Sequence, residues 1–347
     1  MPNACYINSR NSKAGLLFTL LCSVIITDCT YQESPQELTS VTVGITTSFL
    51  GEAATFTASE QGFFKDHGLD VTLQRNSSGS VSIRALFREE VDIAHAAETP
   101  VIYSLLDTTY IEEQPVPPFK IFADMIYADE VQKIIARKDH GITGPRDIAG
   151  KRIGLDQNTQ LDYFLDSFLL EYQLSRDRIT LVDREPDHHI EAIQNGEVDV
   201  VVTWEPYASH IQQSLGEKAI RLETQLTYSS LWMATTLDSY AEANPDILKA
   251  YLHALRDAQE YIMNHPDESQ ELLARETGVS IEIIASLWHT IDYKLSLSER
   301  MLILLEDQVR WLRHNNGSHR TAPLNLEEYI NLGPMHSVHP DGITVIQ

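Results

Sequence analysis

Residues 152–155, Arg-Ile-Gly-Leu, repeat an event already met at residues 41–45, Val-Thr-Val-Gly-Ile. Each is a short β-branched run around one glycine. Each is followed by a helix-length segment, a second short run, a second helical segment and a Glu-Val-Asp strand. Those strands are Glu90-Val91-Asp92 and Glu197-Val198-Asp199, at nearly equal distances from Gly44 and Gly154. Both then run to an acidic residue and a proline, Glu98-Thr99-Pro100 and Glu205-Pro206. Any one echo is chance; all of them in the same order describe two lobes of similar architecture. The alternation of β-branched runs with amphipathic segments is the pattern of parallel strands covered by helices, so the class is α/β.

Outward from this core, strands are expected at 41–45, 70–73, 91–95, 120–125, 131–137, 152–155, 179–182, 198–203 and 231–235. Helices are expected at 51–66, 81–89, 100–106, 161–172, 188–195 and 207–215. Beyond residue 230 the pattern becomes helical, over 243–264, 266–276, 281–288 and 297–314. The expected organisation is an export segment at 1–29, a polar linker at 30–39 and a first lobe at 40–128. A second lobe follows at 129–229, then a return to the first lobe with C-terminal helices at 230–332. The end, 333–347, is rich in Pro, His and Gly and reads as loosely ordered.

At the N-terminus Arg10 and Lys13 precede an apolar run, Ala14 to Thr27, that is short for a bilayer span and does not alternate as a buried helix would. It has the order of an export signal. The three cysteines, Cys5, Cys22 and Cys29, all fall here. Cys29 is a lipidation candidate, although Asp28 departs from the small residue usual before a lipidated cysteine. The chain beyond it has no thiol for a disulfide framework.

Fifty acidic against 26 basic residues give a net charge of −24, and no basic stripe is present to track phosphates, so nucleic acid is not an expected partner. Motifs for covalent, phosphoryl or zinc-protease chemistry are missing as well. His188 and His189 are adjacent and point about 100° apart on a helix, unsuited to one metal. No catalytic residue, metal or cofactor is assigned.

Ligands of open α/β sheets bind beyond the carboxyl ends of strands, where helix N-termini converge. The loops there hold Thr47 and Ser48, Ser78-Gly79-Ser80, Glu98-Thr99, and Asn158-Thr159. Hydroxyls and free N–H groups at helix starts can cradle an oxyanion without arginine, and they can equally be ordinary helix caps. Glu98 and Glu205 are expected at the cleft, one from each lobe, either pairing with a ligand amine or, for Glu205, capping its own helix. Tyr127, Trp204, Tyr207 and Trp232 are expected near the lobe junction, as ligand-facing aromatics or as core.

The stretches 60–65 (Glu-Gln-Gly-Phe-Phe-Lys), 68–71 (Gly-Leu-Asp-Val), 90–94 (Glu-Val-Asp-Ile-Ala), 147–154, 162–165, 196–199 and 204–206 (Trp-Glu-Pro) together resemble the nitrate, aliphatic-sulfonate, taurine and thiamine-precursor group of ABC-transporter solute-binding proteins. The resemblance covers roughly residues 41–315. It implies a two-lobed periplasmic-binding-protein fold of the type II, Venus-flytrap kind, exported and monomeric. It implies closure on one small molecule, an inner-membrane ABC permease as partner, and contact with the membrane only through a lipid anchor. The implied binding residues are Thr47, Ser48, Ser78, Gly79, Ser80, Glu98, Thr99, Tyr127, Asn158, Thr159, Trp204 and Glu205. Gln157-Asn158-Thr159-Gln160 replaces the family's more usual Gly and paired-hydroxyl loop. A sulfonate with an amine leads as ligand; an aminopyrimidine stacked on Trp204 or Tyr207, or service to a membrane sensor, are the alternatives. Eukaryotic pyrimidine-precursor synthases share the fold but use a cysteine-rich motif that this chain lacks beyond Cys29.

Overall fold

A computed structural model of the chain describes residues 37–106, 115–225, 228–315 and 323–345. The expected export segment, with Cys29, lies outside the described residues. In chain order, β1 (Thr39–Thr46) pairs in parallel with both β2 (Leu69–Asn76) and β3 (Ile93–Ala96). From β4 (Phe119–Asp129) the chain crosses to β5 (Gln132–Arg137) in a different sheet. There β6 (Arg152–Leu155) pairs in parallel with β7 (Thr180–Asp183) and β8 (Val200–Trp204), while β5 runs antiparallel to β8 and to β9 (Ala219–Leu222). The chain returns through β10 (Ser229–Ser230) and β11 (Met233–Leu237), and later β12 (Ile291–Ser296), all antiparallel to β4. The seven-stranded sheet runs β10-β4-β11-β3-β1-β2 with β12 on β4; the five-stranded sheet runs β7-β6-β8-β5-β9.

The echo in the sequence has a physical cause. Asp92 Oδ2 accepts from the Thr42 amide at 2.7 Å, and the Asp92 amide donates back to the Thr42 carbonyl at 2.8 Å. In the second sheet Asp199 Oδ2 accepts from the Arg152 amide at 2.9 Å and the Asp199 amide returns to the Arg152 carbonyl at 2.9 Å. Each aspartate thus clasps the strand residue two positions before the paired glycine. The glycines sit where a side chain would be crowded: a Cβ on Gly154 would press on Val198 Cγ1 at 3.2 Å, and one on Gly44 would press on Asn76 Nδ2 at 3.3 Å with Val91 Cγ2 in ordinary contact at 3.5 Å. Glycine, valine and aspartate therefore recur as one device that registers the strands of each sheet.

The helix expected over 51–66 is two helices, α1 (Ala53–Glu60) and α2 (Phe63–Asp66), interrupted at Gly62. The first sheet also carries α3 (Gly79–Phe87) and α4 (Glu98–Leu106); the second carries α5 (Gln160–Glu171), α6 (His189–Gln194) and α7 (Tyr207–Leu215). Then come α8 (Asp238–Ala243), α9 (Pro245–Asn264), α10 (Pro266–Thr277), α11 (Ile281–Leu287), α12 (Glu299–Asn315) and α13 (Leu332–Val338). Proline at its first position starts α9, and Leu248, Tyr251, Leu252, Leu255, Ala258 and Ile262 form its buried stripe. Each large member of that stripe contributes about 1.5–3 kcal/mol of burial.

One element was not expected, and one expectation is corrected. Residues 291–296 form a strand, with Ile291, Tyr293 and Leu295 buried and Asp292 and Lys294 exposed, a period of two. The end is not loose: α13 buries Met335 and Val338, Arg256 donates to the Val338 carbonyl at 2.6 Å, and Leu297 donates to the Gly342 carbonyl at 2.9 Å. Among the described residues no helix is long and apolar enough to cross a membrane.

Candidate ligand site

Two helix starts, one from each sheet, line a single cavity. In the first wall Ser78 is the residue before α3, in extended conformation, and its side chain does not cap its own helix. Its hydroxyl instead bonds the Asp156 carboxylate of the second sheet's side. Gly79 lies hard against the end of β3, where a Cβ would come within 2.8 Å of Ala96 Cα and 3.1 Å of the Trp232 ring. Ser80 Oγ accepts from Arg84 Nη1 at 2.9 Å, one turn further along α3.

The second wall begins where β6 ends. Thr159 caps α5: its hydroxyl donates to the Asp156 carbonyl at 2.6 Å and accepts from the Leu161 amide at 3.3 Å. Trp204, the last residue of β8, is 3 % exposed and packs edge-on to Tyr207 at 6.2 Å between centroids. Tyr207 bonds Asp187 and also Ser48, which links this wall to the end of β1.

Of the residues expected to bind, Ser78, Gly79, Ser80, Thr159 and Trp204 line the cavity; Thr46, Phe49, Gln160 and Trp232 complete it. It has room for no more than about one water. Thr46 Oγ1 and Trp204 Nε1 are buried without a partner among the described residues; so is Asp156 Oδ2, on a residue that does not line the cavity. Leaving such a group unpaired costs about 1–3 kcal/mol, so two of them on one cavity's lining residues mark a surface shaped for something else to bond. Burial above all, with the neighbouring Asp183 next, pushes the Asp156 carboxyl up to about 7; the Ser78 hydrogen bond and Arg84 oppose this, and Glu185 adds to it.

The other expected residues stand elsewhere. Glu98 is fully buried inside the first sheet's side, accepting from the Leu231 amide at 3.1 Å, Gln308 Nε2 at 3.1 Å and the Tyr228 hydroxyl. Burial raises its carboxyl against those bonds. Thr99 donates to Gln308 Oε1 at 2.6 Å. Glu205 takes its capping alternative, accepting from the Ser209 amide at 3.0 Å and hydroxyl at 2.8 Å. Tyr127 lies at the crossing between the sheets, its hydroxyl on Asp129 at 2.9 Å and its ring under Arg300 at 3.7 Å. Asn158 is exposed, and Thr47 donates to the Asn76 carbonyl at 3.1 Å. The helix expected at 100–106 starts earlier, at Glu98, before Pro100, while α7 begins at Tyr207 as expected, just after Pro206.

What the sequence reading missed is Asp156, and behind the cavity a buried cluster around Glu52. Trp232 Nε1, the Thr46 amide and the Thr55 hydroxyl donate to Glu52 at 3.0, 3.2 and 3.0 Å; His95 Nδ1 lies 2.8 Å from it and Tyr251 OH 2.8 Å from His95 Nε2. Asp156 was legible as the residue ending the Ile153-Gly154-Leu155 strand; nothing local marked Glu52.

Comparison with known proteins agrees with this layout. A family described as NMT1/THI5 like matches residues 51–269. The taurine-binding periplasmic protein of Escherichia coli (strain K12) is 26% identical over 252 residues, which cover 69% of this chain and 73% of that one. The structure of the alkanesulfonate-binding protein SsuA from Xanthomonas axonopodis pv. citri bound to MOPS superposes with a TM-score of 0.71 at 15% identity, covering 85% of this chain and 99% of that one. The periplasmic aliphatic sulphonate binding protein SsuA from Escherichia coli gives 0.66 at 17% identity, covering 82% and 95%. The fold is that of the periplasmic binding proteins.

Proposed function

The chain belongs to the NMT1/THI5-like family, and we propose from that membership that it is the extracytoplasmic solute-binding component of an ABC importer, taking a small organic sulfonate in the cleft between its two sheets. It is a binding protein rather than an enzyme, as are the relatives named above. One observation carries the sulfonate reading: the starts of α3 and α5, from different sheets, meet at one cavity walled by Ser78, Ser80 and Thr159 and roofed by Trp204 and Trp232. A sulfonate offers three acceptor oxygens on one centre, which suits converging N–H groups, hydroxyls and helix dipoles. The Trp204 indole N–H supplies a further donor, and the ring faces suit the short apolar stem.

A sulfonate needs more room than one water, so the walls must part to admit it. The proposed lobes, 40–128 with 230–332 against 129–229, would part at the two crossings between the sheets, from β4 to β5 and from β9 to β10. The Ser78–Asp156 and Ser48–Tyr207 bonds, each joining one wall to the other, would form on closure. The closed shape is what an inner-membrane permease would read. Residues 1–29 would direct export, with Cys29 as the acylated residue and the monomer held at the membrane by lipid alone.

Calorimetry of purified protein with ethanesulfonate, taurine, nitrate and an aminopyrimidine tests this. A bound class raises stability by about 2.7 kcal/mol at a hundredfold excess over its dissociation constant. Binding of the sulfonates alone supports the reading, and binding of none of them removes it. The two indoles at the cavity favour one second reading, a stacked aminopyrimidine, which the same titration separates.

A further inference from the structure

The two crossings between the sheets border a second cavity, of about 270 Å³, that shares no lining residue with the ligand cavity. Its size is near the lower end of the roughly 300–1,000 Å³ usual for small-molecule sites. Asp129, Glu130, Gln132 and Lys133 bring the first crossing to it, and residues 221–225 with Tyr228 bring the second. Successive residues of β5 line it, so it lies at the end of the β5–β9 edge pair rather than over one face. Glu171, the last residue of α5, accepts from the Thr224 hydroxyl and from the Gln225 amide at 3.0 Å, which ties the second crossing to that helix. Phe164 of α5 packs on Tyr228 at 5.8 Å between centroids, and with Ile134 and Leu222 these rings give the cavity an apolar side.

The polar side has unmet bonding capacity. Lys133 is 6 % exposed; its Nζ donates to the Glu130 carbonyl, while the Glu130 carboxylate stands 3.8 Å away on a side chain 71 % exposed. Arg221 reaches the same cavity from β9, with the exposed Glu223 carboxylate at 3.5 Å. Burial first, then repulsion from Arg221, pulls the Lys133 pKa down, against the attraction of Glu205, Glu130 and Glu223. The remaining acid, Asp129, is already held by the Tyr127 hydroxyl at 2.9 Å, by Ser229 and by Arg300 at 3.9 Å. Gln132 is buried as well: Nε2 donates to Ser230 Oγ at 2.6 Å, and Oε1 has no partner among the described residues. A buried ammonium with spare protons beside a guanidinium suits an oxyanion, and the unpartnered amide oxygen suits a hydroxyl.

We propose that this cavity is a second ligand site, taking a small hydroxycarboxylate with an apolar body, and that its occupant braces both crossings and so favours the form in which the ligand walls are together. The carboxylate would lie between Lys133 and Arg221, the hydroxyl on Gln132 Oε1, and the apolar body against Phe164 and Tyr228. The site stands on its own residues; the effect on opening rests on the two-lobe reading above and takes the form of a coupling between two distinct sites.

Titration calorimetry with mandelate tests the site, against phenylacetate, which lacks the hydroxyl, and benzylamine, which lacks the acid. Wild type is expected to bind mandelate about fivefold more tightly than phenylacetate and not to bind benzylamine. Lys133→Met and Arg221→Gln should each weaken mandelate by about tenfold, and Gln132→Leu should abolish the preference over phenylacetate. Should Lys133→Met fail to fold, Arg221→Gln, at a partly exposed position, gives the same reading. No mandelate binding by wild type overturns the site, and so does equal affinity in wild type and both charge variants, which would put mandelate elsewhere. Small-angle X-ray scattering tests the bracing: saturating mandelate should lower the radius of gyration of wild type but not of Arg221→Gln. Binding with an unchanged radius overturns the bracing. A wild type that binds mandelate and no sulfonate removes the sulfonate reading and supports the second site.

Discussion

The indole N–H of Trp232 donates to Glu52 Oε1 at 3.0 Å, joining residues from distant parts of the chain in the interior of the first sheet's side. Both are buried, and Glu52 has no exposed surface. The same carboxylate fixes the Thr46 amide. Two residues of the cavity wall thus hang on one buried acid, which His95 and Tyr251 hold from behind.

Glu52→Ala should therefore cost about 3–5 kcal/mol of stability, because it strands buried partners rather than merely removing a contact. Denaturant melts would measure it. Glu52→Gln keeps an acceptor for Trp232 and should recover much of the stability; equal loss in both variants would show that the hydrogen bonds do not carry the effect.

Gly79→Ala should destabilise by about 1–3 kcal/mol, since the added methyl meets the Ala96 backbone, which cannot swing aside. The same methyl presses on Trp232 from within the cavity wall, so ligand affinity should fall as well. A thermal melt with and without ligand reads both effects.

Burial alone would raise the Asp199 carboxyl, but bonds from the Arg152 side chain and amide and from His140 outweigh it and hold the group below the usual carboxylate range. A carboxyl depressed in the folded state stabilises above its unfolded value, about 3.9, and that contribution is lost as pH falls toward the folded value. Melting temperatures of wild type and Asp199→Asn should differ at pH 6 and converge below pH 4. A constant gap would rule out the charge as the source.

Cys29→Ala should move the exported protein from the membrane fraction to the soluble fraction, and metabolic labelling with a fatty acid should disappear with it. Unchanged fractionation would exclude acylation at that residue.

Legibility in the sequence followed the range of the interaction. Gly44, Val91, Asp92 and their counterparts Gly154, Val198, Asp199 were readable because the clasp they form recurs in the same order. Ser78, Gly79, Ser80, Thr159 and Trp204 follow from the rule that strand ends and helix starts build clefts. Glu98 misled because its partners include Gln308, on a helix far along the chain, and no local pattern signals such a pairing. Glu52 was hidden for the same reason, its indole partner arriving with β11. The strand at 291–296 was readable by its strict alternation and was obscured by the helices on either side.

The five-stranded sheet is built from one continuous stretch, residues 132–222, whereas β3 meets β11 only after that stretch has been completed. Under the export proposed above, a chain threaded N-terminus first would emerge with its inner module able to close while the outer one still waits for its last strands. The loop-closure entropy of joining β3 to β11 falls once the intervening module has shortened the effective loop. Pulsed hydrogen exchange during refolding should find Ile134–Ala136 protected before Ala94–Ala96. Assembly would then run from the middle of the chain outward, which leaves the ligand cleft as the last surface to exist.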